Sequence, residues 1–258
     1  MSGVVFPALG AGALTGFTLG LIGGGGSILA TPLLLYVVGV ADPHVAIGTG
    51  ALAVSVNAYT NLIVHARKGH VWWRCAILFA LVGTVGALAG STLGKAIDGQ
   101  HLLFLFGLLM LAVGALMLRP RKNEASSLRR VDWRMCSLTG IVALISGAIS
   151  GFFGIGGGFL IVPALILSTG MSTISAVGSS LVAVGTFGLA TAINYAATGL
   201  VNWTIVTEFI VGGIAGGSIG SLASTHLASR NGLLNRIFAG VIFVVAAYVI
   251  HRSSGSLG

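Results

Sequence analysis

The sequence predicts an all-α polytopic membrane protein made of two inverted repeats, each a re-entrant or broken helical hairpin followed by three transmembrane helices. Three observations carry this prediction. The composition is strongly apolar, the apolar residues fall in runs of spanning length, and one pattern of glycines, prolines and polar residues occurs twice.

Hydrophobic residues make up 55% of the 258 positions and charged residues only 7%, against roughly 25% charged in a soluble domain. Mean hydropathy is +1.03, outside the range of soluble globular proteins. The 41 glycines suit membrane helices, in which small residues let backbones approach. A formal net charge of +8 raises nucleic-acid binding, but the basic residues sit in short segments between apolar runs, as cytoplasmic loops do; no nucleic-acid partner is expected. Cys75 and Cys136 lie beside basic loops, which reads as reduced thiols facing the cytosol and no disulfide framework. The N-terminal residues lack the basic stretch and cleavage site of a signal peptide.

In order, the apolar stretches are 4–22, 28–40, 44–66, 72–97 and 101–119, then 136–153, 159–170, 174–196, 203–226 and 237–251. The division that follows is a first membrane repeat 1–118, a basic cytoplasmic linker 119–134, a second membrane repeat 135–252 and a disordered tail 253–258. The repeat is direct. Gly20-Leu21-Ile22-Gly23 precedes a glycine run and Pro32, and Gly151-Phe152-Phe153-Gly154 precedes another and Pro163, at an offset of 131. After one deletion the offset is 130: Ala46, Gly48 and Thr49 meet Ala176, Gly178 and Ser179, and Gly83, Gly86 and Gly90 meet Gly213, Gly216 and Gly220.

The second stretch of each half, 28–40 and 159–170, is short for a span of about 20 residues and follows a glycine run, so 4–40 and 136–170 read as hairpins that enter and leave on one side. Three spans then follow, and this odd number of crossings inverts the second half. Charge agrees with inversion. Arg67, Lys68, Arg74, the linker bases, Arg230 and Arg236 fall on one side, Lys95 and Arg252 on the other, as the bias of basic residues toward the cytoplasm requires. Both termini then lie outside, in a bacterial cytoplasmic membrane.

Three groups of residues could carry chemistry. The first is the glycine runs, with Gly25, Gly26 and Ser27 in one half and Gly156, Gly157 and Gly158 in the other. Bare backbone within a bilayer must be buried in protein or line a wet cavity. A helix restarting after such a break offers open N–H groups and a positive dipole end to an anion, while the competing reading is tight packing or a bend. The second is a polar stripe. Asn57, Asn61 and His65 share one helix face, Thr49 adds a hydroxyl, and Ser179, Ser180 and Tyr195 occupy the related helix. Neutral donors can hold an anion, or they can hydrogen-bond between helices. The third is the ionisable pair His65 and Glu208, candidates for proton coupling; the favoured reading of His65 is an interfacial anchor beside Arg67, and of Glu208 a shallow, solvated carboxylate near Trp203. Gly216-Gly217-Ser218-Ile219-Gly220 matches a hydrolase nucleophile pattern, but that motif needs a strand–turn–helix context. No metal-ligand spacing appears. The chain is read as no enzyme, with no metal and no cofactor.

Gly20–Pro32 and Gly151–Pro163 resemble the paired glycine-rich motifs of the TauE/SafE sulfite exporter family. Ala46-Ile47-Gly48-Thr49, Ala176-Val177-Gly178-Ser179 and the basic linker fit the same pattern, and the resemblance covers about residues 4–251. It implies secondary transport, often proton-linked, of a small sulfur oxyanion or sulfonate such as sulfite, thiosulfate, taurine or sulfoacetate. A passive small-anion channel is the alternative with the same composition. The expected partners are that anion and the lipid bilayer; small-residue helix faces permit a homodimer.

Overall fold

A computed structural model describes residues 2–118, 133–156, 158–227 and 231–254. Of the sequence expectations, most of the linker, Gly157, Arg230, the side chains of Cys136 and Arg236, and residues 255–258 lie outside the described residues. The described residues form ten α-helices and no strand: α1 Ser2–Ile22, α2 Ala30–Tyr36, α3 Pro43–Arg67, α4 Trp73–Ala96, α5 Gly99–Leu118, α6 Trp133–Phe153, α7 Gly158–Thr169, α8 Thr173–Ala196, α9 Trp203–Leu227 and α10 Asn231–Ser254. The last helix thus takes in Ser253 and Ser254, the start of the segment read as a tail. Five stretches are long and apolar enough to cross a membrane: Val5–Tyr36, Pro43–Arg67, Trp73–Ala96, Thr173–Ala196 and Trp203–Ala223.

Local chemistry explains where the helices begin. Asp42 caps α3 by accepting the His44 N–H at 2.7 Å, with Pro43 at the first helical position. At the matching place Ser172 accepts the Ser175 N–H at 3.4 Å and starts α8. The glycine runs end the first helix of each half, but differently. After α1 the chain passes into a 3₁₀ helix, Gly23–Leu29, before α2. It also folds back, since a β-carbon on Gly26 would strike the backbone of Thr18 and Leu19. After α6 it makes an irregular turn in which Gly154 and Gly156 have φ of 64° and 65°, a left-handed conformation that side-chain-bearing residues rarely adopt.

Packing exchanges the halves. Helix α1 lies along α9: a β-carbon on Gly12, Gly16 or Gly20 would enter the backbone of Phe209, Gly213 or Gly217 respectively. Helix α6 lies along α4 in the same manner, with Gly147 against Gly83 and Gly151 against Ala87. In both pairs the numbers rise together, so the helices run parallel. Between them α3 meets α8, and here the numbers run in opposite senses: Gly188 touches Ala51 and Ser55, Ser55 Oγ donates to the Gly185 carbonyl at 2.6 Å, and the Tyr59 ring packs on Gly185. Helices α5 and α10 also meet antiparallel, Gly107 against Ile250 and Gly114 against Phe243. In lipid no hydrophobic force drives helix onto helix, and close van der Waals contact at small residues takes its place. The rows of glycine supply it. Large apolar side chains point outward, Leu81 (65% exposed), Val85, Ile219 and Val244 (72%) among them, as a lipid-facing surface requires.

The interior holds one large apolar cluster around α1–α4 and α6–α9. A second joins Ile28 and Ile155, from the two breaks, to Phe106, Met110, Ile242 and Ala246 of α5 and α10.

Candidate functional site

The two glycine breaks touch. Gly24 and Gly158 lie so close that a β-carbon on either would enter the other's backbone, and the Gly24 N–H donates to Ser180 Oγ at 3.4 Å. Backbone fills the point where the breaks cross. The neighbouring hydroxyls are committed locally: Ser27 donates to the Gly24 carbonyl and Ser180 to that of Val177, each at 2.8 Å. Gly25 and Gly26 are buried inside the 3₁₀ helix, which places no helix start at Gly26–Ser27; α2 begins only at Ala30. In the second half α7 does start at Gly158, with Gly156 packed between Val54 and Val184.

Thr49 and Ser179 tie the halves together. Thr49 Oγ1 accepts the Asn202 N–H at 3.0 Å, and Ser179 Oγ accepts the Trp72 N–H at 2.9 Å. Each hydroxyl thus satisfies a backbone donor just ahead of a helix in the opposite half, α9 or α4. The sequence could not show this, because the donor lies more than 100 residues away.

The polar stripe of α3 faces the glycine rows of α1 and α9. The Asn57 amide lies against Gly213, and the Asn61 amide against Gly217 and Gly20. Asn61 Nδ2 donates to the Asn57 carbonyl at 2.8 Å, which holds its side chain along the helix. Asn57 is fully buried, and neither its Nδ2 nor its Oδ1 has a hydrogen-bond partner among the described residues. His65, two turns beyond Asn57 and 2% exposed, lies against the Gly20 backbone, but neither ring nitrogen reaches full hydrogen-bond geometry with a described residue. Its ring lies 5.9 Å from that of His70, whose Nδ1 is also buried and unpartnered. Lys68 closes this end of the stripe and donates to the Ser221 carbonyl of α9 at 3.3 Å. Buried amides and imidazoles without partners are rare, because desolvation leaves each with an uncompensated cost of about 1–3 kcal/mol.

The equivalent stripe of α8 differs. Phe187 stands at the position of Asn57, packed on Gly83 and stacked with Phe79 at 6.2 Å. Thr191 stands at that of Asn61 and Tyr195 at that of His65. Both are fully buried, and their hydroxyls have no partner among the described residues. Lys95 Nζ lies 5.7 Å from the centre of the Tyr195 ring and donates to Asn194 O and Oδ1 at 2.9 and 2.8 Å. Glu208 on α9 is half-buried, and its Oε2 is shielded without a partner among the described residues.

At the end of the molecule near Tyr195, Asp42, His44, Lys95, Asp98 and Gln100 line a cleft of about 460 Å³. The Asp98 carboxyl titrates below the usual carboxylate range, because the Gln100 N–H and the His101 side chain hydrogen-bond its charged form. Among the described residues no three His, Cys, Asp or Glu side chains group as metal ligands. Sequence reasoning did not single out Gly213 and Gly217 as the surface facing the asparagines, nor His70 beside His65. The glycines were visible as a small-residue face, but which helix they pack on is a tertiary fact.

An all-helical bundle with several membrane-length apolar stretches defines the class of multi-pass membrane proteins. The sulfite exporter TauE/SafE family matches residues 8–249, and the chain belongs to that family. It is 64% identical over 250 residues to a probable membrane transporter protein of Xylella fastidiosa strain Temecula1, covering 96% of each chain, and 63% identical to the counterpart in strain 9a5c. The probable membrane transporter protein YunE of Bacillus subtilis is 23% identical with 98% of each chain covered. No solved structure matches the chain.

Proposed function

We propose that this transporter is a secondary carrier that moves a small sulfur-containing anion, sulfite or an organosulfonate such as taurine or sulfoacetate, across the cytoplasmic membrane by alternating access. The observation that carries the reading is the Asn57 amide, fully buried yet without a partner at either polar atom. A group left in that state has a cost that a bound solute can remove. Neutral donors suit an anion that must also leave again, since a fixed buried charge would hold it.

The antiparallel meetings of α3 with α8 and α5 with α10 support inverted halves, the construction in which one half rocks against the other around a central site. In this reading the parallel, glycine-packed pair of α1 and α9 moves as a unit away from α3 and uncovers Asn57 and His65. His65 and Glu208 are the groups that would exchange a proton with the solute's movement. The basic residues Arg67, Lys68 and Arg74 face the cytoplasm and draw anions to that mouth, which leaves both termini outside.

Flux into proteoliposomes tests the reading. Radiolabelled taurine or sulfite uptake should saturate with concentration and respond to an imposed proton gradient. Uptake that rises linearly and ignores the gradient would establish a passive anion channel in its place. No uptake of any sulfur anion, from vesicles shown to hold folded protein, would overturn the substrate class.

A further inference from the structure

We propose that Lys95 and Asn194 form the gate at one end of the solute path, a polar clamp that opens before a solute passes between α4 and α8. The inference rests on the alternating-access reading above and names the residues that close one end.

The clamp joins helices of different halves. Lys95, in the last turn of α4, gives two of its three N–H donors to Asn194 of α8. It reaches the backbone oxygen at 2.9 Å and Oδ1 at 2.8 Å. Asn194 Nδ2 in return donates to Ser91 Oγ at 2.6 Å and to Thr92 Oγ1 at 3.1 Å. Both polar atoms of the Asn194 side chain are thus engaged with α4. Lys95 Nζ also stands over the Tyr195 ring, within the range of a cation–π attraction. Duplication does not account for this cluster. At the matching places of the other half stand Val64 for Asn194, Leu222 for Thr92 and Thr225 for Lys95, which cannot repeat it. There the exposed Lys68 makes a bond to the Ser221 carbonyl.

The clamp stands between two places of different character. On one side is the cleft of about 460 Å³, which Lys95 lines together with Asp42, His44, Asp98 and Gln100. On the other, one turn back along α8, Ala190 and Thr191 are buried. The Thr191 and Tyr195 hydroxyls there have no hydrogen-bond partner among the described residues, so entry of water or a solute would supply what they lack.

Lys95 is also suited to let go. Its ammonium is strongly hydrated and sits on a flexible four-carbon stem, it is only half-buried, and the Asp42 and Asp98 carboxylates line the same cleft. The charge therefore has two sets of partners: Asn194 when α4 and α8 are together, and water with two carboxylates when they part. An element with two separately satisfied arrangements is what a switch between states requires.

Thiol accessibility tests the gate without any solute. Cys75→Ser and Cys136→Ser remove the native thiols, and Thr191→Cys places one behind the clamp. A charged, membrane-impermeant methanethiosulfonate is applied to membrane vesicles of both orientations. Lys95→Met should raise labelling of Thr191→Cys from the Lys95 end at least about ten-fold, the factor that about 1.4 kcal/mol in the opening equilibrium gives. Labelling of Asn61→Cys from the opposite end should fall, because the two ends open in turn. Unchanged labelling in a folded Lys95→Met protein overturns the gate. Labelling that rises at both ends shows a general strut and overturns it as well. Ala190→Cys is the second reporter, one turn behind Asn194, and it decides the matter if Thr191→Cys does not fold. Faster labelling in a protein that carries no sulfur anion keeps the gate and removes only the solute class. Unchanged labelling beside saturable uptake removes the gate and keeps the transport reading.

Discussion

The two helix pairs that clasp the centre of the molecule use the same backbone geometry and different side chains. On one side α1 and α9 pack glycine to glycine and present Gly213 to Asn57; on the other, α6 and α4 do the same and present Gly83 to Phe187. Phe187 stacks with Phe79 and closes its seam with apolar contact. Asn57 closes its seam with an amide that bonds to nothing among the described residues. A duplicated fold thus holds one seam that is stable as it stands and one that gains by taking up a polar solute. On the polar side His65 and Glu208, on α3 and α9, have buried atoms without a hydrogen-bond partner among the described residues, whereas the counterpart of His65 is Tyr195.

The comparison can be broken at several points. Phe187→Ala should have the largest effect on stability, about 3–5 kcal/mol for a buried ring lost from a close-packed seam, read as a fall in the melting temperature of the detergent-solubilised protein. A loss under about 1 kcal/mol would mean that the seam at Gly83 is not a structural closure. Asn57→Leu should do the opposite. Replacing an unpartnered amide by an apolar group of similar size leaves stability unchanged or slightly raised, while initial uptake falls at least about ten-fold, equivalent to roughly 1.4 kcal/mol. Full uptake by a folded Asn57→Leu protein would erase the functional difference between the seams. The smallest effects sharpen the likeness of the halves. Thr49→Val and Ser179→Ala each remove one hydroxyl that satisfies a backbone donor in the opposite half, and each should lower stability by about 1 kcal/mol. Thermal melts that separate the two by more than about 1 kcal/mol would show that the halves are not held together equivalently.

These contrasts also mark what could be read before the structure was known. The stripe Asn57, Asn61 and His65 was legible because helical spacing alone puts those residues on one face. Ser179 and Thr49 were legible as polar positions but not as caps, since the N–H groups they accept come from Trp72 and Asn202 of the other half. That each half carries a glycine run was also legible, from the recurrence of the pattern. That they meet as backbone against backbone at Gly24 and Gly158, and not around an open space, was not. Nor could two glycine-rich runs, Gly-Gly-Gly-Gly-Ser and Gly-Ile-Gly-Gly-Gly, reveal that one becomes a 3₁₀ helix and the other a turn with two left-handed residues. Four successive glycines ahead of Ser27 tolerate either path, and the neighbours Thr18 and Leu19 select one.

The sequence by itself determined the membrane character, the twice-occurring pattern of glycines and prolines, the helices and their breaks. These follow from local causes: the transfer of apolar runs into lipid, the periodicity of a helix, and the backbone freedom of glycine. Tertiary structure decided which helix meets which. The exchange of α1 onto α9 and α6 onto α4, the burial of Asn57 against Gly213, and the filling of the matching place by Phe187 depend on surfaces far apart in sequence. In a bilayer such pairings are chosen by close fit between helices and not by a general hydrophobic force, so no count of apolar residues along the chain could specify them.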